Sequence, residues 1–180
     1  LISKKTLIKF AVSPISHYWI NESRFSCNLS YAYKMGTKYK IYSPYDEVKW
    51  ISNTNFKQIQ GYDQLPNKGD LCIIASSLKD VMCLFEMGIP AVAMQSEMRL
   101  PLRNQIEELK QRFKQVAIFY DNDFTNPNNP GQAMAAKICK EYYPMSNIII
   151  PDEYKLKDPS DYIAHFKRTE GLQTLIDIQL

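Results

Sequence analysis

No apolar run in this chain comes near the roughly 20 residues that a membrane-spanning helix needs. The opening stretch LISKKTLIKF is interrupted by Lys4, Lys5 and Lys9 and makes a poor signal peptide. These two absences predict a soluble, cytoplasmic protein of a bacterial or infected host cell, with no membrane partner. Histidine is nearly missing: only His17 and His165 occur, and His17, between Ser16 and the pair Tyr18-Trp19, reads as a packed residue rather than a catalytic one. The four cysteines, Cys27, Cys72, Cys83 and Cys139, contain no CxxC pair. A structural zinc site wants close ligand pairs, so this scatter argues against zinc, and cysteines set in apolar strand or helix patterns argue against a disulfide framework. There is no internal repeat, no low-complexity tract and no initiating methionine, the last of which suggests a piece of a longer protein with flanking domains.

What is present looks globular. The chain has 180 residues, 45% hydrophobic and 23% charged, enough for one substantial domain or two small ones. The formal net charge of +3 hides an asymmetry. Residues 1–68 carry ten lysines and arginines against four acids, whereas residues 69–180 carry twelve against fifteen. A basic front beside an acidic back suits a polyanion held next to a metal-binding centre.

The front, residues 1–68, is rich in Tyr, Ile, Val, Phe and Trp in short runs, and reads as a small, mostly antiparallel sheet. Strands are predicted around Leu7 to Val12, Ser30 to Lys34, Tyr39 to Tyr42 and Val48 to Ser52, with turns at Met35 to Lys38 and Ser43 to Asp46. Lys34, Lys38, Lys40 and Lys49 alternate with aromatic residues that include Trp50. Such a set can hold single-stranded nucleic acid by phosphate attraction and base stacking, although Trp50 and Tyr42 are also natural core residues.

The segment Leu65 to Asp70 marks a boundary. Beyond it, over residues 69–180, strands alternate with helices, the pattern of a parallel α/β sheet. Strands are expected at Leu71 to Ala75, Pro90 to Met94, Gln115 to Tyr120 and Asn147 to Ile150. Helices are expected at Leu78 to Met87 and Leu102 to Phe113, from the Asn129-Pro130 start, and from the Asp158-Pro159 start to the end. Ligands of such sheets bind at the carboxyl ends of the strands, which would gather Ser76 and Ser77, Ser96 and Glu97, Asp121 and Asp123, and the loop to Lys157, Asp158 and Asp161.

Of these, the stretch VAIFYDNDFTNPNNP carries the chemistry. In extended backbone, Asp121 and Asp123 point to the same side. Two carboxylates held together repel unless a cation lies between them, and hard divalent ions favour such oxygens. The five residues from Asp121 to Thr125 also fit the DxDxT start of haloacid-dehalogenase-type phosphatases, but only 55 residues follow Thr125, too few for the motifs that belong downstream. An EF-hand fits worse, with Asn126 where glycine and Gln132 where glutamate should stand.

From about Gly69 to Phe166 the order of elements resembles the Toprim domain shared by bacterial-type primases, phage primase-helicases, topoisomerases and certain nucleases. In that family a first strand leads to a glutamate-glycine turn and an aspartate-containing helix, and a later strand ends in DxD. Here LCIIA leads to Ser76-Ser77-Leu78-Lys79-Asp80, FYDND supplies Asp121 and Asp123, and Lys157-Asp158-Pro159-Ser160-Asp161 looks like the downstream lysine-aspartate segment. With the Tyr- and Lys-rich front, the whole looks most like the primase portion of a phage-type primase.

The resemblance implies RNA primer synthesis on single-stranded DNA from nucleoside triphosphates. It implies Mg²⁺ or Mn²⁺ on Asp121, Asp123 and Asp161, with Lys79, Lys157 and Asp158 at nucleotide or phosphate. A replicative helicase, in the same chain or separate, is an implied partner. One departure matters: the family's acid/base glutamate aligns with Ser76, a poor base at neutral pH. Ser76 or Ser77 reads as a helix cap paired with Asp80, and Glu97 is the substitute carboxylate. The rival expectations are Toprim-type DNA cleavage and a catalytically inactive, metal-dependent nucleic-acid-binding module.

Overall fold

A computed structural model describes residues 2–180. The chain starts with a helix where periodicity predicts a strand. In α1 (Lys4–Lys9) the Ser3 hydroxyl caps the first turn by accepting from the Thr6 N–H, and Thr6 and Phe10, four residues apart, face the core. Lys4, Lys5 and Lys9 are all exposed. The apolar residues from Leu7 to Val12 thus follow a helical period first and turn extended only at Val12.

Four antiparallel strands follow in chain order: β1 (Val12–Ile20), β2 (Ser23–Met35), β3 (Lys38–Tyr42) and β4 (Trp50–Ser52). β1 and most of β2 escape sequence prediction because they are polar and β1 contains Pro14. Proline is tolerated there because β1 is an edge strand. The β1–β2 turn uses Asn21 at φ 53°, a left-handed conformation that asparagine accepts at little cost. The predicted turn at Met35 to Lys38 is present, with Gly36 at φ 60°.

The second half alternates β5 (Gly69–Ala75), α2 (Leu78–Glu86), β6 (Ala91–Ala93), α3 (Arg103–Arg112), β7 (Phe113–Phe119), α4 (Pro130–Glu141), β8 (Ser146–Asn147), α5 (Pro159–Phe166) and α6 (Glu170–Gln179). The strands form a parallel sheet in the order β6-β5-β7-β8. Three boundaries differ from expectation. Phe113 opens β7 instead of closing α3, β8 has only two residues with Ile148 adding one backbone bond to Ile118 O, and the final helical stretch is two helices.

Period-two alternation sorts the sheet's side chains into two cores. Ile73, Ala75, Ala117 and Phe119 face α2, α5 and α6 on one side. Cys72, Ile74, Val116 and Ile118 face α3 and α4 on the other. Phe10, Val12 and Tyr33 of the front part join the first of these cores, and a bridge between Gln60 and Ala93 ties the front part to the end of β6. The antiparallel sheet is therefore packed on one layer of the parallel one, with β3 and β4 beside the carboxyl ends of the parallel strands.

Candidate metal and nucleotide centre

Ser76 and Ser77 end β5 and start α2. Ser77 is the N-cap, accepting from the Asp80 N–H at 3.4 Å while its hydroxyl donates to the Asp80 carboxylate. Asp80 is 1% exposed and also accepts from the Ser160 N–H at 3.3 Å. Burial, then the neighbouring Asp158 carboxylate, pushes its carboxyl far above the ordinary range. The Ser76 hydroxyl accepts from the Asp121 N–H at 2.8 Å, so the end of β5 is fastened directly to the DND loop after β7.

That loop is held by amides. Asn122 is buried; its side chain donates to Ile150 O at 2.8 Å and to Asp152 Oδ1 at 2.7 Å, and accepts from Asn129 Nδ2 at 2.6 Å. Turning Asn122 inward leaves Asp121 and Asp123 on one side, as their spacing predicts: Lys157 Nζ lies 3.6 Å from Asp121 Oδ2 and 3.9 Å from Asp123 Oδ1. Asn129 does not cap α4 with its side chain, contrary to expectation; its Oδ1 accepts from the Asp123 N–H instead. A Cβ on Gly131 would sit 2.3 Å from the Asp121 carbonyl oxygen, so only glycine lets α4 begin this close to the loop.

Asp158 caps α5, accepting from the Asp161 N–H and the Ser160 hydroxyl at 2.6 Å each, with Lys79 Nζ at 3.6 Å. Oxygen atoms of Asp80, Asp121 and Asp158 all lie within 4.8 Å of one another. The sequence predicts Asp121, Asp123 and Asp161 as the metal set. The tightest cluster keeps Asp121, brings in Asp158 from the predicted phosphate group, and adds Asp80. Asp123 stays beside Lys157, and Asp161 is half-buried with its carboxyl raised by burial and then by Asp158. Sequence reasoning passed over Asp80 because its position three residues after Ser77 is explained by helix capping. The structure has it capping and facing the cluster at once.

The donor set fits a hard divalent cation. Asp80, Asp121, Asp123, Asp158 and Asp161 surround only Lys79 and Lys157, and Asp121 Oδ1 is buried with no hydrogen-bond partner among the described residues. Burial raises the Asp121 carboxyl, and the Ser76 bond partly restores it. Glu97, beyond the end of β6, has a buried oxygen with no partner among the described residues; burial first, then Asp121, raises its carboxyl as well. Ser76, Glu97 and the acidic pair thus share one edge of the sheet.

This edge opens into a cleft of about 1370 Å³ that the antiparallel sheet closes on its other side. Lys40, Lys49 and Trp50 line it. Lys40 Nζ donates to Gln95 O at 3.0 Å and lies 4.6 Å from the Trp50 ring centre; burial lowers its pKa to about 8. Trp50 stacks on Tyr42 at 4.4 Å and remains 42% exposed. Lys34 and Lys38 are not brought into this cleft. Lys34 pairs with Tyr39 on the opposite face of the sheet and lines a separate cavity of about 370 Å³, and Lys38 is exposed at the hairpin end. His17, expected to be packed, is also exposed.

A parallel four-stranded α/β sheet with acids at its carboxyl edge, beside a basic antiparallel sheet, defines the class. No protein-family model matches the sequence, and no curated protein does. By structure, the chain is similar to the DnaG primase catalytic core, with TM-score 0.72 and 15% identity over 99% of this chain and 70% of that one. The primase fragment of the bacteriophage T7 primase-helicase protein matches with TM-score 0.68 and 15% identity, again over 99% and 70%. A DnaG primase catalytic domain bound to single-stranded DNA matches with TM-score 0.69 and 14% identity over 99% and 68%. The chain has the fold of these primase catalytic domains, across nearly its whole length.

Proposed function

We propose that this protein is a DNA primase fragment that makes RNA primers on single-stranded DNA from nucleoside triphosphates, using Mg²⁺ or Mn²⁺. The observation that carries this reading is the meeting, in one cleft, of the Asp80-Asp121-Asp158 cluster with the Lys40-Trp50 bank. Residues 1–68 would hold template and residues 69–180 would carry the chemistry. Lys40 and Lys49 bind template phosphates, and the exposed Trp50 ring stacks on a base, contacts that tolerate any sequence. Lys79 and Lys157 meet the phosphates of the incoming nucleotide. Asp121, with Asp80 and Asp158 and with Asp123 and Asp161 beside them, would hold the divalent ion, which when bound neutralises developing charge and favours ionisation of the attacking 3′-hydroxyl.

Glu97 is the proposed general base in place of the residue aligned with Ser76, because it is a half-buried carboxylate facing the acidic pair with one oxygen unpartnered. A DnaG domain that binds single-stranded DNA and a T7 fragment from a primase-helicase support the template and a helicase as partners. The test incubates the protein with single-stranded templates, nucleoside triphosphates and Mg²⁺ or Mn²⁺. Short RNA products are expected, reduced at least about a hundred-fold by Asp121→Asn. Glu97→Gln should abolish synthesis with the fold kept, and full activity in that variant removes the base assignment. Cleavage of labelled DNA without nucleotides would turn the reading to nuclease chemistry. Metal-dependent DNA binding with no turnover, unaltered by Asp121→Asn, would turn it to a binding module, the alternative that Ser76 favours.

A further inference from the structure

Six basic residues line the large cleft, and their partners divide them. Lys79 and Lys157 are paired with the acidic cluster. Among the described residues, Lys40, Lys49, Arg99 and Lys137 form no ion pair with any carboxylate. The second group comes from opposite layers of the fold. Lys40 and Lys49 belong to the antiparallel sheet, which packs through Tyr33 on the Ile73 and Ala75 face. Arg99 lies in the segment that leads from β6 into α3, and Lys137 lies on α4. Both helices pack on the other face, through Ile106 and Leu109 and through Ala135 and Ile138. Arg99 and Lys137 are both exposed. The acidic cluster sits between the two banks, at the end of the sheet that separates the layers.

Unpaired cations kept on a cleft wall are positioned for an anion from outside. The cleft, at about 1370 Å³, is larger than the roughly 300–1,000 Å³ of ordinary small-ligand pockets. A single strand presents one phosphate backbone, whereas the product of template-directed synthesis is a duplex and presents two. We propose that Arg99 and Lys137 bind backbone phosphates of the strand paired to the template, so that the cleft holds a short RNA–DNA duplex with one bank of cations for each strand. The proposal rests on the primase reading and adds two residues and a second ligand strand to it. Met98, 55% exposed next to Arg99, offers an apolar edge beside the same backbone.

The test measures fluorescence anisotropy of labelled single-stranded DNA, a labelled short RNA–DNA hybrid, and a labelled nucleoside triphosphate. The double variant Arg99→Ala/Lys137→Ala should weaken hybrid binding about ten-fold. It should also make the fall of log affinity with log salt shallower by about one to two. Single-strand and triphosphate affinities should stay within about two-fold, and Arg99→Lys/Lys137→Arg should restore hybrid binding if charge is what acts. Both side chains are exposed, so the thermal midpoint should not move. Unchanged hybrid binding, equal loss for single strand and hybrid, or loss confined to the triphosphate would each overturn the assignment while leaving the primase reading standing. A wild-type chain that binds neither single strand nor hybrid would remove that reading and this inference together.

Discussion

The two sheets of this protein solve the same problem in different ways. The parallel sheet is covered on both faces: Ile73, Ile74, Ala117 and Ile118 are fully buried, and its strands are near-continuous apolar runs. The antiparallel sheet buries Val12, Tyr33 and Ile41 and leaves Trp19, Phe25 and Trp50 at 41% exposure or more. The first is a rigid frame that aims carboxylates, and the second is a surface that offers rings and lysines. Rigidity is where the charges repel: Asp121 and Asp158 are held close to Asp80 only because Asn122, Ser76, Ser77 and Ser160 fix the backbones around them.

The contrast is sharpened most by substitutions inside the frame. Leu109→Ala, at a fully buried position on α3, should cost about 2–5 kcal/mol in urea unfolding and leave template affinity per folded molecule unchanged. Gly131→Ala should cost about 1–3 kcal/mol, because its Cβ would press on the Asp121 carbonyl, and should lower primer synthesis beyond what stability explains. Trp50→Ala should do the reverse, reducing single-stranded DNA affinity by about 1–3 kcal/mol in anisotropy titrations while barely moving the unfolding midpoint. If Trp50→Ala destabilises as much as Leu109→Ala, the division into frame and surface is wrong. Mg²⁺ should raise the thermal midpoint of the wild type and not of Asp121→Asn, since a ligand that binds only the folded state stabilises by mass action.

The smallest effect concerns pH. Burial lowers Lys40 to about 8, below the unfolded value, with only Gln95 O and the Trp50 ring for company. Below about pH 8 it is charged in both states, and its burial is a cost. As pH rises from there toward the unfolded value, the folded state carries fewer protons than the unfolded one, so this residue's contribution to stability improves. Template affinity should move the opposite way, weakening as pH passes about 8, and Lys40→Arg should flatten that profile.

Legibility in the sequence followed periodicity. α2, β5 and β7 were readable because their apolar spacing is clean and Gly88 and the Ser76-Ser77 cap punctuate them. α1 was misread as a strand because six residues rich in Lys, Leu and Ile fit either period. β1 went unseen because an edge strand exposed on both faces has no alternation to detect. Within the site, Asp121 and Asp123 were visible from their spacing alone. Asp80 looked like a capping residue, and Lys34 could not be separated from Lys40, because strand register decides which face each occupies.

Local order, then, belonged to the sequence: the alternation of strand and helix, the acids at the end of the third parallel strand, and the lysines of the front part follow from residue type and spacing. Convergence belonged to the tertiary structure. Asp80, Asp121 and Asp158 are distant along the chain and meet only because right-handed parallel connections bring successive strand ends to one edge. The front sheet's packing over that edge, through Phe10, Val12 and Tyr33, then sets Lys40 and Trp50 across from the carboxylates. Spacing along a chain cannot encode such a meeting, because contacts between remote segments depend on how whole faces are buried against one another.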